Sequence, residues 1–238
     1  MIKVVRSILE CPERNKDCPV ARKFRETAEG PLIPEAYLGS PKAKFMIVGI
    51  NPGITEVKEE KKTTGLMSYL MRDAPPHAFE RDADLYIEVY QRRSKDFLKL
   101  FVEDAWQYRR VCKIFNYSPE NGEVMITNLA HCPTTNWSED LNTAFEHCYQ
   151  FCKGIEKEVG PELVLLHGLP VVRFFSRLFN WNVKNKDIPI KKERNGRSYV
   201  LSRHLQSPTI QKDWKALENI AKTLKEGKSS QKHRQGND

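Results

Sequence analysis

Three polar side chains stand just beyond stretches that read as strands: Asn51 after 45–48, Asn128 at the end of 123–128, and His204 after 199–202. Strands with continuous apolar runs are buried on both faces, and open parallel sheets bind ligands beyond the strands' carboxyl ends. The three groups are therefore expected along one sheet edge. An amide carries no charge to hold a metal or a phosphate, but it orients a water or reads a base edge with its donor and acceptor. An imidazole donates to, or accepts from, a reacting group near neutral pH. No pair of carboxylates accompanies them, so the chemistry implied is oriented water and a polarised leaving group. Taken singly, an Asn in a turn or a His in a loop is more often structural. Their repeated position after strands is what marks a site.

The elements that must position them alternate between strand and helix. Residues 1–40 read as helix, break, helix and loop, with Cys11-Pro12 ending the first helix and Cys18-Pro19 opening the second. Gly49 and the Pro52-Gly53 step force a tight turn around Asn51. Thr55 to Thr64 is a charged run that reads as solvated loop, and helices are expected over 83–101 and 101–115. The segment 54–122 is thus a helical insertion over the sheet's edge. A third strand spans 162–166 and ends at His167-Gly168. Asn195-Gly196 is a strong hairpin signal before the fourth strand, 199–202. Leu141, Phe145, Cys148, Cys152 and Ile155 share one helical face, which also suits plain core packing. A last amphipathic helix carries Trp214, Leu217, Ala221 and Leu224, and 227–238 reads as a basic, unstructured tail. The expected fold is α/β, three layers with a central four-stranded parallel sheet, forming a single domain over 1–226.

Lys and Arg outnumber Asp and Glu by 39 to 31, giving +8 and a pI near 9.1. That balance favours an anionic partner, nucleic acid before membrane. No apolar run approaches the length of a membrane span, and the N-terminus lacks a signal-peptide pattern. A cytosolic, nucleoid-associated monomer is the expectation. Six cysteines in such a chain read as thiols or metal ligands before disulfides.

The motifs carry a resemblance that covers roughly residues 9–210. Gly49-Ile50-Asn51-Pro52-Gly53 resembles the first motif of mismatch-specific and single-strand-selective members of the uracil-DNA glycosylase superfamily. Thr127-Asn128-Leu129-Ala130-His131-Cys132-Pro133 resembles a segment of that superfamily's thermostable iron–sulfur branch, and Cys148 follows Cys132 by sixteen positions, as there. His204-Leu205-Gln206-Ser207-Pro208 resembles the superfamily's minor-groove loop, without the Pro after His. Six residues separate Cys11 from Cys18 where the iron–sulfur branch has two, and Ile50-Asn51 stands where that branch has Glu-Ala.

The resemblance implies a set of roles. Asn51 would position the attacking water and Asn128 would read the uracil edge. His204 would stabilise the leaving base. Gly49, Ile50, Pro52, Gly53 and Ser207 would line the pocket. Tyr69 would stack on the flipped base, with Met67 as competitor. Cys11, Cys18, Cys132 and Cys148 would hold a structural [4Fe–4S] cluster, with Cys112 and Cys152 free, and no nucleotide cofactor is implied. The partner would be DNA containing uracil. The alternatives are another deaminated or mismatched base, or a binder that does not cleave. From the residues themselves, Lys191, Lys192 and Arg194 crowd the hairpin before His204, and with Arg203 and Gln206 they are the expected contacts to the DNA backbone.

Overall fold

The computed structural model describes residues 1–12, 18, 35–50, 56–59, 62–65, 83–132 and 141–234. Its strands are β1 (Leu38–Gly39), β2 (Phe45–Gly49), β3 (Glu56–Glu59), β4 (Lys62–Gly65), β5 (Val124–Asn128), β6 (Leu163–His167), β7 (Ile190–Arg194) and β8 (Arg197–Ser202). Its helices are α1 (Ile2–Leu9), α2 (Ala83–Asp104), α3 (Trp106–Phe115), α4 (Leu141–Val159), α5 (Leu169–Leu178) and α6 (Trp214–Arg234).

The protein is α/β with a mixed six-stranded sheet in the order β1-β5-β2-β6-β8-β7. β5, β2, β6 and β8 pair in parallel. The expectation of four strands is corrected by two antiparallel edge strands, β1 against β5 and β7 against β8. β1 was legible only as loop, and β7 only as the unnumbered first arm of the Asn195-Gly196 hairpin. β1 is two residues long inside a Pro- and Gly-rich stretch, and β7 reads Ile-Lys-Lys-Glu-Arg, which only an edge tolerates. The Asn195-Gly196 turn forms as expected, both residues at positive φ, the geometry of a two-residue hairpin loop.

The parallel strands are apolar because both their faces are covered. Ser198 and Tyr199 are neighbours on β8 and so point to opposite faces. Tyr199 meets Phe179 and Trp181 beyond α5 and hydrogen-bonds Glu156 of α4. Ser198 shares a small cavity with Phe115 of α3 and with Ala221 and Leu224 of α6. α2 lies against the edge strand β1, its Tyr90 hydroxyl tied to the Tyr37 backbone. Within the region read as insertion, β3 and β4 form an antiparallel hairpin where a loop was expected. Glu59 and Lys62 sit at paired positions there, and a hairpin outside the main sheet tolerates a charged sequence. α6 continues past Gly227 to Arg234, through most of the stretch read as tail. Lys, Glu and Gln extend a helix readily once its apolar face is packed, and a lone Gly costs about 1 kcal/mol. No helix among the described residues is long and apolar enough to cross a membrane.

Candidate functional site

The pairing of β2 with β5 continues beyond the strands. Leu129 N–H donates to the Gly49 carbonyl at 2.9 Å and Ala130 N–H to the Ile50 carbonyl at 2.8 Å. Across the sheet, Gly168 N–H donates to the Ser202 carbonyl at 3.1 Å. These bonds bind the carboxyl ends of β2 and β5, and of β6 and β8, so that residues 49–50, 128, 167 and 204 come together.

Gly49 is required by space. A Cβ there would lie 2.6 Å from Asn128 Oδ1 and 3.1 Å from His167 Nε2. The bare backbone lets the Asn128 amide and the His167 ring close over the end of β2. Asn128 is half-buried, and its amide has no hydrogen-bond partner among the described residues. Such an amide retains a donor and an acceptor for a ligand. Gly168, at φ +93°, makes the second close approach, because a Cβ would meet Ile50 Cδ1 at 2.7 Å. Ile50 is thereby buried as packing, so of this residue the backbone, not the side chain, belongs to the pocket.

The His204 loop is held on every side. Leu205 is fully buried, and Ser207 N–H donates to the His204 carbonyl at 2.9 Å. The Ser207 hydroxyl accepts from Thr209 N–H, capping the 3₁₀ turn Pro208–Lys212. Gln206 N–H donates to His204 Nδ1 at 3.3 Å, which leaves the proton of the neutral ring on Nε2. Burial lowers the His204 pKa, so the ring is neutral near pH 7. Arg203 is spent internally. Its guanidinium binds buried Asp213 at 2.5 Å and the Ile188 and Asn185 carbonyls at 2.8 and 3.1 Å.

Sequence reasoning missed His167 as a site residue. It ends β6, is 1 % exposed, and packs its ring 5.0 Å from that of His204. Its Nε2 lies 3.3 Å from the Tyr108 hydroxyl of α3. Burial and nearby His204 hold its pKa well below the ordinary value. The available signal was its place: it follows a strand as Asn51, Asn128 and His204 do.

The basic hairpin runs away from the site, with Lys191 beside Val200 in mid-strand and Arg194 at the far end. β7 runs antiparallel to β8, so Lys192 pairs with Tyr199, and Arg194 with Arg197 at the opposite end of the strand from Ser202. Five residues of strand separate Arg197 from the site end, about 16 Å. Lys191 pairs with Glu193 at 2.6 Å, Arg194 lies over the Phe179 ring at 3.8 Å, and Arg197 binds Glu156. The basic side chains nearer the His204 loop are Lys186 and Lys212, which with Arg203 and Asp213 line a groove of about 580 Å³.

The thiols assigned to a cluster draw near one another from separate elements. Cys148 of α4 takes a backbone hydrogen bond from His131, beside Cys132, and its pKa is pushed up to about 12 by burial, with smaller contributions from Cys18 and Cys11. Cys18, Cys132 and Cys148 are buried and Cys11 is partly so. Among the described residues no three His, Cys, Asp or Glu side chains gather tightly enough for a single metal ion. Four thiols are the donor set that a [4Fe–4S] cluster takes. Cys152, one turn on, is deeper, and burial pushes its pKa further up. Asn51, Pro52, Gly53, Met67 and Tyr69, like the second helix expected after Cys18, lie outside the described residues.

No model of a known protein family matches the chain. No curated protein sequence matches it either.

Proposed function

We propose that this protein is a DNA glycosylase of the uracil-DNA glycosylase superfamily, with β5, β2, β6 and β8 as the four parallel strands of that fold. The observation that carries the reading is the Asn128 amide, without a partner among the described residues and pressed against Gly49 at the strand ends beside a neutral imidazole. Uracil offers a carbonyl and an N–H side by side, and one amide matches both. Cytosine reverses part of that pattern and leaves buried groups unpaired. The base must leave the stack to be read this way.

In the reaction, a water oriented by Asn51 attacks the sugar C1′ as the C1′–N1 bond breaks. The bonding electrons leave with uracil, whose oxygen develops negative charge, and the water's proton passes to solvent. The products are free uracil and an abasic site. His204 Nε2–H donates to that oxygen. A neutral donor suffices because the anion forms away from bulk water, where a hydrogen bond is worth more. Cys11, Cys18, Cys132 and Cys148 would hold a [4Fe–4S] cluster that ties α1, the segment around Cys18, the loop after β5 and α4 together. The protein acts as a monomer on DNA, its backbone contacts coming from Lys186 and Lys212.

The test is single-turnover base release from uracil-containing oligonucleotides, with binding to an uncleavable analogue measured alongside. Asn51→Ala is expected to abolish most release and keep binding, and Asn51→Asp to retain activity. Asn128→Ala is expected to blur uracil against cytosine. A stable complex without free base from the wild type makes the protein a binder and refutes the enzymatic reading.

A further inference from the structure

Trp106, the first residue of α3, is 40 % exposed, although an indole carries much apolar surface to bury. It stands at the site's edge of the sheet. Two residues on, Tyr108 reaches His167 at the end of β6. The Trp106 ring also packs 6.0 Å from that of Trp214, which opens α6 directly after Asp213, the partner of Arg203. Trp214 is buried, so it is the fixed half of the pair and Trp106 the open half. Cations accompany the open indole. Helical spacing puts Arg109, Arg110 and Lys113 on its side of α3, a helix without an acidic residue. Arg110 is used within the protein, over the Trp214 ring at 4.7 Å and on Glu218 at 3.3 Å. Arg109 and Lys113 are exposed and make no ion pair among the described residues. Of the acids that line a groove with them, Glu120 and Glu123 are held by Ser118, and Glu103 offsets one of the two charges. Lys212, assigned above to the DNA backbone, precedes Trp214 by two residues.

We propose that Trp106 is a stacking platform for an unpaired base of the strand that enters the site, so that the partner of this edge is single-stranded DNA. This rests on the glycosylase reading above. In a duplex both faces of a base are covered by its neighbours, and an indole exposed on a helix finds no free face. In a single strand every base has a face to offer, and stacking on it is tolerant of sequence. Arg109, Lys113 and Lys212 supply the positive charge that holds the phosphates of such a strand. Trp106 lies outside the chemistry: it holds the strand and leaves the flipped base to Asn128.

The test is affinity, read by fluorescence anisotropy, for a short oligodeoxythymidylate and for a blunt-ended duplex of the same length, neither containing uracil. The wild type is expected to bind the single strand more tightly, with its tryptophan emission quenched on binding. Trp106→Leu keeps apolar cover over Trp214 and removes the ring, whereas Trp106→Phe keeps a smaller ring. Trp106→Leu is expected to lose affinity for the single strand roughly ten- to a hundredfold, the worth of one stacked base, and to lose most of the quenching while its affinity for the duplex is unchanged. Trp106→Phe is expected to recover much of the loss. A folded Trp106→Leu protein that binds the single strand as the wild type does overturns the inference, as does a wild type that prefers the duplex. Sedimentation tests the other occupant: a wild-type dimer that Trp106→Leu dissolves gives the indole to a second copy of the chain and also overturns it. If the wild type releases no uracil from DNA yet binds the single strand through Trp106, the glycosylase reading fails and the platform stands. If it releases uracil and Trp106→Leu binds unchanged, the platform fails alone.

Discussion

Replacing Gly49 with Ala adds one methyl group at the most crowded point of the site. The new Cβ would stand 2.6 Å from Asn128 Oδ1, whereas ordinary contact begins at 3.4 Å, so something must move by 3.4 − 2.6, or 0.8 Å. Strand β2 cannot yield, since β5 and β6 pair with it on either side and the Gly49 carbonyl accepts from Leu129 N–H. His167, at 3.1 Å and pinned by Tyr108, closes the other side. The Asn128 amide must therefore shift, and it is the group that reads the base. A misplacement near 1 Å costs on the order of a hundredfold in rate, and overpacking a tight site costs about 1–3 kcal/mol of stability. Gly49 has no left-handed φ, so the effect is one of space alone. Single-turnover release of uracil is the assay, with thermal unfolding to report the stability loss separately. The expected result is a folded protein that binds DNA and releases uracil about a hundredfold more slowly. Release at the wild-type rate would mean that Asn128 does not read the base from this position.

Neutralising Lys191 and Lys192 together should leave the salt dependence of DNA binding unchanged, whereas Lys186→Ala with Lys212→Ala should flatten it, by about 0.9 in log–log slope for each phosphate no longer neutralised; a titration of affinity against salt decides. Thermal stability should fall as pH drops below about 6.5, the ordinary histidine value. The unfolded chain takes up protons there while buried, depressed His167 and His204 do not, so their stabilisation is complete above that value and is lost on the acid side. His167→Asn should lessen that slope in melting curves between pH 8 and 5. Protein purified without oxygen should be brown and contain iron. Cys148→Ala should lose both and melt earlier, whereas Cys112→Ala should keep its iron; colourless wild-type protein would exclude the cluster.

Much of this architecture is written in local pattern. The apolar runs at 45–48 and 162–166 announce strands buried on both faces, and the spacing of Leu141, Phe145, Cys148, Cys152 and Ile155 announces α4, because periodicity reports burial directly. Asn195-Gly196 announces its hairpin, since few residues adopt two successive positive φ values cheaply. The positions of Asn128 and His204 after strands are legible for the same reason. What local pattern could not contain is which strands neighbour which, and in what direction. Lys191, Lys192 and Arg194 are close to His204 along the chain, yet β7 runs away from the site, so that Arg194 ends at the far end of the sheet while Lys191 and Lys192 lie in mid-strand. Arg203 looks like a free cation in sequence and is consumed by Asp213, ten residues on. His167 is the converse case. Its surroundings come from Tyr108, 59 residues away, and from the absent side chain of Gly49, so that its buried ring is set at the strand ends only once β2, β6 and α3 are packed together.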